Sequence, residues 1–265
     1  MPTFEILCTT MNQQDFSKLK EMNVHCDILY ANQASTTAYD ELKFDGGTAR
    51  MITTETRGVG KNRNIGLIYA TADICLLADD DMVYEDNVEQ IVLWEFERFP
   101  KADAIIFNVI SDNPERKQVF NKKCKRMTKF SRNPYGAFRI AFKLKKIKHH
   151  NIWFTTLFGG GSPFPSGEDS LFIKDMLKSG MKIYLSDKVI GRVKQEDSTW
   201  YKGMNDKNYF RNKGTFIQAS RKGISKYLYV FYYALRTGRH SNVRFFDKVM
   251  AMLKGMDDYK KYIKE

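Results

Sequence analysis

Residues Ile74-Cys75-Leu76-Leu77-Ala78 are five consecutive apolar side chains, and they run straight into Asp79-Asp80-Asp81. A short continuous apolar run of this kind reads as a strand buried on both faces, here over Asp73–Ala78. Its last residues set a stiff electrostatic condition. Three adjacent carboxylates repel one another. A divalent cation relieves that repulsion. Oxygen ligands suit Mg²⁺ or Mn²⁺, which commonly bridge carboxylates to diphosphate oxygens. The plain alternative is an acidic turn that caps the following helix, a task Asp86 can perform alone.

The segments around this strand alternate in type. Glu5–Thr10 and Cys26–Ala31 read as strands, Asp15–Met22 as a short helix and Asn62–Ala70 as a helix. Asp86–Phe99 places Val88, Ile91, Val92 and Phe96 at helical spacing, and Asp103–Ile110 is a further strand. This alternation predicts an α/β fold with a largely parallel sheet. In such sheets functional loops gather at the C-terminal strand ends, so Thr9–Gln13, Asn32–Gln33 and Asp79–Asp81 are expected on one rim. Beyond Ile110, the spacing of Phe120, Cys124, Met127 and Phe130 predicts one apolar helix face. Phe158–Ser166 is a loop rich in Gly and Pro, Asp169–Lys178 a helix stopped by Gly180, and Met181–Leu185 a strand. The tail from Gly203 holds at least two helix-like stretches.

Charge is distributed unevenly. Residues 1–115 carry 9 basic and 20 acidic side chains, whereas 116–150 carry 13 basic and none acidic. Residues 202–265 carry 15 basic and 5 acidic. Basic blocks attract phosphates, nucleic acid or an anionic membrane face; the bland reading is a solvated lysine-rich surface. No apolar run reaches the roughly 18 residues of a membrane span, and the first residues lack the pattern of a signal peptide, so a cytoplasmic protein is expected. The four cysteines form no CxxC pair, which argues against a zinc or disulfide framework. His25, His149, His150 and His240 are scattered and read as surface or structural residues.

Two further motifs carry chemistry. Arg57-Gly58-Val59-Gly60-Lys61-Asn62-Arg63-Asn64 combines glycines, cations and a helix start, which suits a phosphate-bearing ligand; it is not a P-loop, because Asn62 follows Lys61. Its bland reading is a basic turn. Ser166-Gly167-Glu168-Asp169 places a carboxylate pair after a flexible loop, where it could supply a general base or simply favour a helix N-terminus. Trp153, Phe154 and Phe158 fit either a stacking platform for a ligand's apolar face or the core.

The order of these motifs resembles glycosyltransferase family 2, whose fold is GT-A. The resemblance covers about residues 4–200. It implies a catalytic domain over 1–202, with a nucleotide-sugar half (1–115) and an acceptor half (116–202), followed by a basic helical extension over 203–265. It implies that Asp169 is the catalytic base and Glu168 its neighbour. Thr9, Asn32, Lys61, Arg63, Asp79 and Asp80 would contact the nucleotide, and Asp81 with Asp79 would bind the metal. Two departures stand out. Asn32-Gln33 takes the place of a base-reading Asp, and Gln195 stands closest to a His that many members use as a metal ligand. The implied activity is inverting transfer from a nucleoside-diphosphate sugar, UDP-sugar foremost, to a hydroxyl of a glycan acceptor. The expected acceptor is lipid-linked, for capsule or O-antigen-type polysaccharide, at the inner face of the cell membrane. Two rival readings fit the residues less well. A sugar-nucleotide nucleotidyltransferase would want a glycine-rich loop after the first strand, where Thr9-Thr10-Met11-Asn12-Gln13 has no glycine. A basic nucleic-acid-binding module sits badly with strand-end aspartates, which would repel phosphate, so no nucleic-acid partner is expected.

Overall fold

In the computed structural model, Ile74, Leu76 and Ala78 of strand β5 (Ile74–Asp79) enter one apolar cluster, and Cys75 and Leu77 enter another. A strand's side chains alternate between faces, so the two clusters are the two faces of one sheet. The same division runs through β1 (Phe4–Met11) and β7 (Ala104–Ser111): Ile6, Cys8, Ile105 and Phe107 point one way, Leu7, Ala104 and Ile106 the other. Helix α3 (Val88–Arg98) covers the first face with Val88, Val92 and Phe96. Helices α2 (Val59–Tyr69) and α5 (Glu168–Lys178) cover the second with Leu67, Phe172, Ile173 and Met176.

The structure describes all residues except 115–117, 119, 129–130, 132–134, 195–205, 239–240 and 265. The remaining strands are β2 (Ile28–Gln33), β3 (Ala38–Phe44), β4 (Gly47–Thr54), β6 (Met82–Tyr84), β8 (Lys125–Arg126), β9 (Ile140–Lys143) and β10 (Ile183–Val193). Among the described residues the sheet runs β3-β4-β2-β1-β5-β9-β7-β10-β6, with β8 paired to β10. The pairs β1–β2, β1–β5, β2–β4 and β7–β10 are parallel, and the β3–β4, β5–β9, β7–β9 and β6–β10 pairs are antiparallel. The short helices α1 (Lys18–Glu21) and α4 (Leu144–His149) fill connections. Two compact units result, Met1–Thr156 with Glu168–Glu196, and Leu157–Gly167 with Asp197–Glu265.

One expectation fails. Residues 120–127 are not a helix: β8 lies in the middle of the segment, Phe120 is exposed, and Met127 is buried while Cys124 is only partly so. Phe130 lies outside the described residues. The cause is a pair of buried asparagines. Asn108 accepts from the backbone N–H of Asn121 at 2.7 Å and donates to its carbonyl at 3.1 Å. Asn121 in turn donates to the carbonyls of Ile106 and Ser186. Side chains thus take the backbone groups that a helix would have used.

The second unit is built on α6 (Lys207–Ser220), α7 (Ser225–Arg236) and α8 (Phe245–Lys264), packed around Phe210, Ile217, Val230, Ala234, Met252 and Met256. Helices α6 and α8 meet through glycine. A Cβ on Gly214 would stand 2.0 Å from the carbonyl oxygen of Met252, and one on Gly255 would stand 1.9 Å from that of Arg211. The obstacle in each case is backbone, which cannot rotate away. Gly214→Ala is therefore expected to destabilise the protein by about 3 kcal/mol, the upper end of overpacking costs. Gly238→Ala, which meets nothing within 4 Å, should leave thermal unfolding nearly unchanged.

Candidate active site

Strand register assembles the rim. Thr9 pairs with Asp79, and Thr10 pairs with Asn32, so the ends of β1, β2 and β5 lie side by side as the parallel arrangement requires. The Thr9 hydroxyl lies 3.3 Å from Asp79 Oδ1, and Thr10 donates to Asp80 Oδ2 at 2.6 Å. Asn32 is buried and locks the neighbouring loop: it accepts from the Gln13 N–H at 3.0 Å and donates to the Gln13 carbonyl at 2.9 Å. Gln33 donates to the Gly58 carbonyl at 2.9 Å.

Gly58, at φ 113°, lets the chain turn into α2. Helix α2 is then sewn to its surroundings by amide side chains. Asn62 donates to the carbonyls of Thr10 and Ala31, and Asn64 exchanges two hydrogen bonds with the backbone of Phe154. Gly60 has no room for a Cβ, which would stand 2.2 Å from the Thr155 carbonyl oxygen. These constraints fix the orientation of Arg63.

Arg63 is the hub of the site. Its side chain is only 4% exposed, and it bridges three carboxylates. One terminal nitrogen donates to Asp79 Oδ1 at 3.0 Å. The other donates to Asp169 Oδ1 at 2.5 Å and to Glu168 Oε1 at 3.3 Å. The guanidinium lies 5.2 Å from the centre of the Phe154 ring, which stacks on Phe172. Burial works against the arginine's charge, but the three carboxylates outweigh it and hold its pKa above the ordinary value. Arg63 thus ties the end of β5 to the start of α5, joining two acidic motifs 90 residues apart in sequence.

Asp169 shows two opposed influences. An arginine at 2.5 Å should hold its carboxyl low, and the Ala137 backbone N–H acts in the same direction. Burial, followed by Glu168 and Asp79, outweighs them and pushes it up to about 7. Its charge therefore changes near neutral pH, as a proton acceptor requires.

The other expected site residues are placed as follows. Lys61 is exposed on the first turn of α2, and Asp81 is half-buried with its carbonyl accepting from the Lys194 N–H at 3.1 Å. Gln195 lies outside the described residues. Phe154 is a core residue, Phe158 is buried against Phe164 and Tyr259 in the second unit, and Trp153 is exposed. Among the described residues, no group of three His, Cys, Asp or Glu side chains is disposed to hold a metal unaided. The Asp79–Asp81 oxygens still suit a hard cation. Arg63 and Thr9 both lie against Oδ1 of Asp79 rather than Oδ2. Carboxylate oxygens are the ligand type that hard divalent cations take.

Solved structures with this fold define its class. TarS residues 1–349 from S. aureus, in complex with UDP-GlcNAc, superposes with a TM-score of 0.60 at 16% identity, over 99% of this chain and 92% of that one. The same protein with UDP gives 0.59 at 14%, over 97% and 83%. The mannosyltransferase PcManGT from Pyrobaculum calidifontis, in complex with GDP-Man and Mn²⁺, gives 0.52 at 12%, over 99% and 74%. The fold is therefore GT-A, with a helical C-terminal extension. The glycosyl transferase family 2 model matches residues 28–159, and the chain belongs to that family: it is a glycosyltransferase. No curated protein matches the sequence. The family match selects this activity over the nucleotidyltransferase and the nucleic-acid-binding module.

Proposed function

We propose that the chain is an inverting, metal-dependent transferase moving a sugar from a nucleoside-diphosphate sugar, UDP-sugar foremost, to a hydroxyl of a glycan acceptor. The observation that carries this reading is the buried Arg63, which joins the strand-end Asp79 to Asp169. The strand end offers groups for a diphosphate, and the helix start offers a base. The solved neighbours were captured with UDP-GlcNAc and with GDP-Man and Mn²⁺, which supports a nucleotide-sugar donor and a divalent cation here.

In this mechanism Asp169 removes the proton from the acceptor hydroxyl. That oxygen forms a bond to the anomeric carbon as the bond from that carbon to the donor phosphate breaks, and the electron pair leaves with the diphosphate. Arg63 holds Asp169 in position through Oδ1, and Glu168 beside it orients the acceptor. Thr9, Asp79 and Asp80 face the nucleotide, Asn32 shapes the loop against it, and Lys61 reaches toward the phosphates. Asp81 and Asp79 would hold a divalent cation, which when bound would neutralise charge growing on the leaving diphosphate. Gln195 is proposed as a third ligand on sequence position alone. The acceptor is a lipid-linked glycan of a capsule or O-antigen-type polymer. The enzyme then works at the inner face of the cell membrane, with residues 1–202 as the catalytic part.

Asp81→Asn should abolish the divalent-dependent part of donor binding while the protein unfolds at nearly the same temperature. Calorimetric titration of donor with and without Mn²⁺ measures it, and metal-independent binding of undiminished strength in the variant would remove Asp81 from the site.

The pH dependence follows from the raised carboxyl. Asp169 accepts a proton only when ionised, so kcat/KM should rise as pH rises through about 7 and level off above it. Its effect on stability has the opposite sign. The folded state holds this proton more tightly than the unfolded chain, so this group's contribution falls as pH climbs from about 4 to about 7. A rate flat from pH 5 to pH 9 would contradict the assignment.

A further inference from the structure

Helix α7 exposes a stripe of large apolar side chains that the transferase chemistry does not use. Ile224 at its N-cap is 75% exposed, Leu228 64%, Phe231 49% and Leu235 68%. At about 100° per residue these four fall within about 60° of the helix circumference. Tyr227 and Tyr232, also exposed, border the stripe on its two sides. The buried face carries Val230 and Ala234. The patch continues through Phe245, whose ring lies 6.5 Å from Phe231, onto the exposed Phe246 and Met250 of α8. Scattered exposed apolar residues need no explanation, but a contiguous stripe of this kind marks a contact surface.

A cationic cluster lies on one flank. Lys213 Nζ sits 4.8 Å from the Phe216 ring centre and 4.9 Å from that of Tyr233. Arg221 lies 3.8 Å over the Tyr229 ring, and Tyr229 and Tyr233 are 6.0 Å apart. Burial, then Arg221, then Arg236 push the Lys213 ammonium down to about 8. Aromatic rings and other cations surround this lysine, so an arriving anion would relieve it. The wider segment agrees: residues 207–246 contain nine Lys and Arg and no Asp or Glu.

We infer that α7 lies flat on an anionic lipid surface, with Ile224, Leu228, Phe231, Leu235 and Phe246 entering the acyl boundary and the Arg221–Arg236 flank gripping lipid phosphates. Charge decides the occupant. A second copy docked through this stripe would oppose the cations of one α7 flank to those of the other, and Asp247, the acid beside Phe246, is already paired with Lys207 at 3.4 Å. An anionic membrane satisfies both the stripe and its flank, and tyrosines beside cations are the side chains suited to the headgroup level. Among the described residues no helix is long and apolar enough to cross a membrane, so α7 lies on the surface. The docking rests on the proposed lipid-linked acceptor only for its purpose.

Vesicle sedimentation of the full chain tests it without donor or acceptor, so failure here leaves the transferase reading standing, and an inactive transferase leaves the docking standing. The wild type should pellet with phosphatidylglycerol vesicles, less so at high salt, and stay in the supernatant with phosphatidylcholine. The double substitution Leu228→Ser and Leu235→Ser, at exposed positions that the fold does not need, should weaken binding about 100-fold, about tenfold for each leucine. Arg221→Gln with Arg236→Gln should weaken it about fivefold per cation and reduce the salt dependence. Three results would each overturn the inference: equal recovery in the supernatant with both vesicles, unchanged binding of the leucine variant, or a wild-type dimer in gel filtration that this variant breaks.

Discussion

Asp169→Asn should lower kcat by about 100- to 10,000-fold, the range that a positioned general base supplies, while donor affinity stays near wild type. Asparagine keeps the shape and can still accept from Arg63, but it cannot take the acceptor's proton. The adjacent Glu168 gives the control. Its contact with Arg63 is longer, at 3.3 Å against 2.5 Å. Glu168→Gln should therefore affect KM for the acceptor more than kcat. Single-turnover rates with saturating donor separate the two effects. Near-normal turnover of Asp169→Asn would remove this residue from the chemistry.

The second large effect is on stability. Arg63→Met should destabilise the fold by about 3 kcal/mol, because breaking a buried ion pair leaves uncompensated charge behind. Three carboxylates lose their cation at once, although their partial exposure, 34% for Asp79 and 24% for Asp169, keeps the loss at the lower end of the range. The loss should grow with pH. Without the arginine, Asp169 in the folded state binds its proton more readily still than in the unfolded chain, so the variant is relieved at low pH and penalised as pH rises. Adding Asp169→Asn should recover part of the stability, as coupled neighbours do. Urea unfolding at pH 5 and pH 8 measures both trends, and a loss below 0.5 kcal/mol at pH 8 would contradict the hub role.

Much of the fold was legible in the sequence, for identifiable reasons. The strands β1, β2, β5 and β7 are buried on both faces and so advertise themselves as apolar runs. Helix α3 shows its period through Val88, Val92 and Phe96. What was hidden depends on partners distant in sequence. Strand β3 is exposed along nearly its whole length, and its Ala-Tyr-Asp-Glu-Leu-Lys-Phe gives no alternation; pairing with β4 makes it a strand. The 120–127 segment carries helical spacing, but Asn108, a buried side chain on β7, captures the backbone of Asn121. A periodicity count does not register such a bond.

The site shows the same division. The rim of Thr9, Asn32 and Asp79 followed from strand ends alone, because parallel strands deliver their C-termini together. The role of Arg63 did not. It stood in a glycine-rich basic stretch that reads as a phosphate contact, yet its guanidinium is taken up by Asp79, Glu168 and Asp169. Its burial on the inner side of α2, set by the Asn62 and Asn64 clamps, is a tertiary property. The nearest signal was the excess of acid at both motifs, which asks for a buried cation as readily as for a metal.

Thermal unfolding with a panel of nucleoside-diphosphate sugars, with and without Mn²⁺, tests the central claim most directly. A donor at 100 times its Kd adds about 2.7 kcal/mol, which for a chain of this size raises Tm by about 5 °C or more. The account predicts that UDP-sugars give such a shift with Mn²⁺, that it shrinks when the metal is withheld, and that Asp81→Asn shows none of the metal-dependent part. No shift with any nucleotide sugar in either condition, or an equal shift in the Asp81 variant, would contradict it.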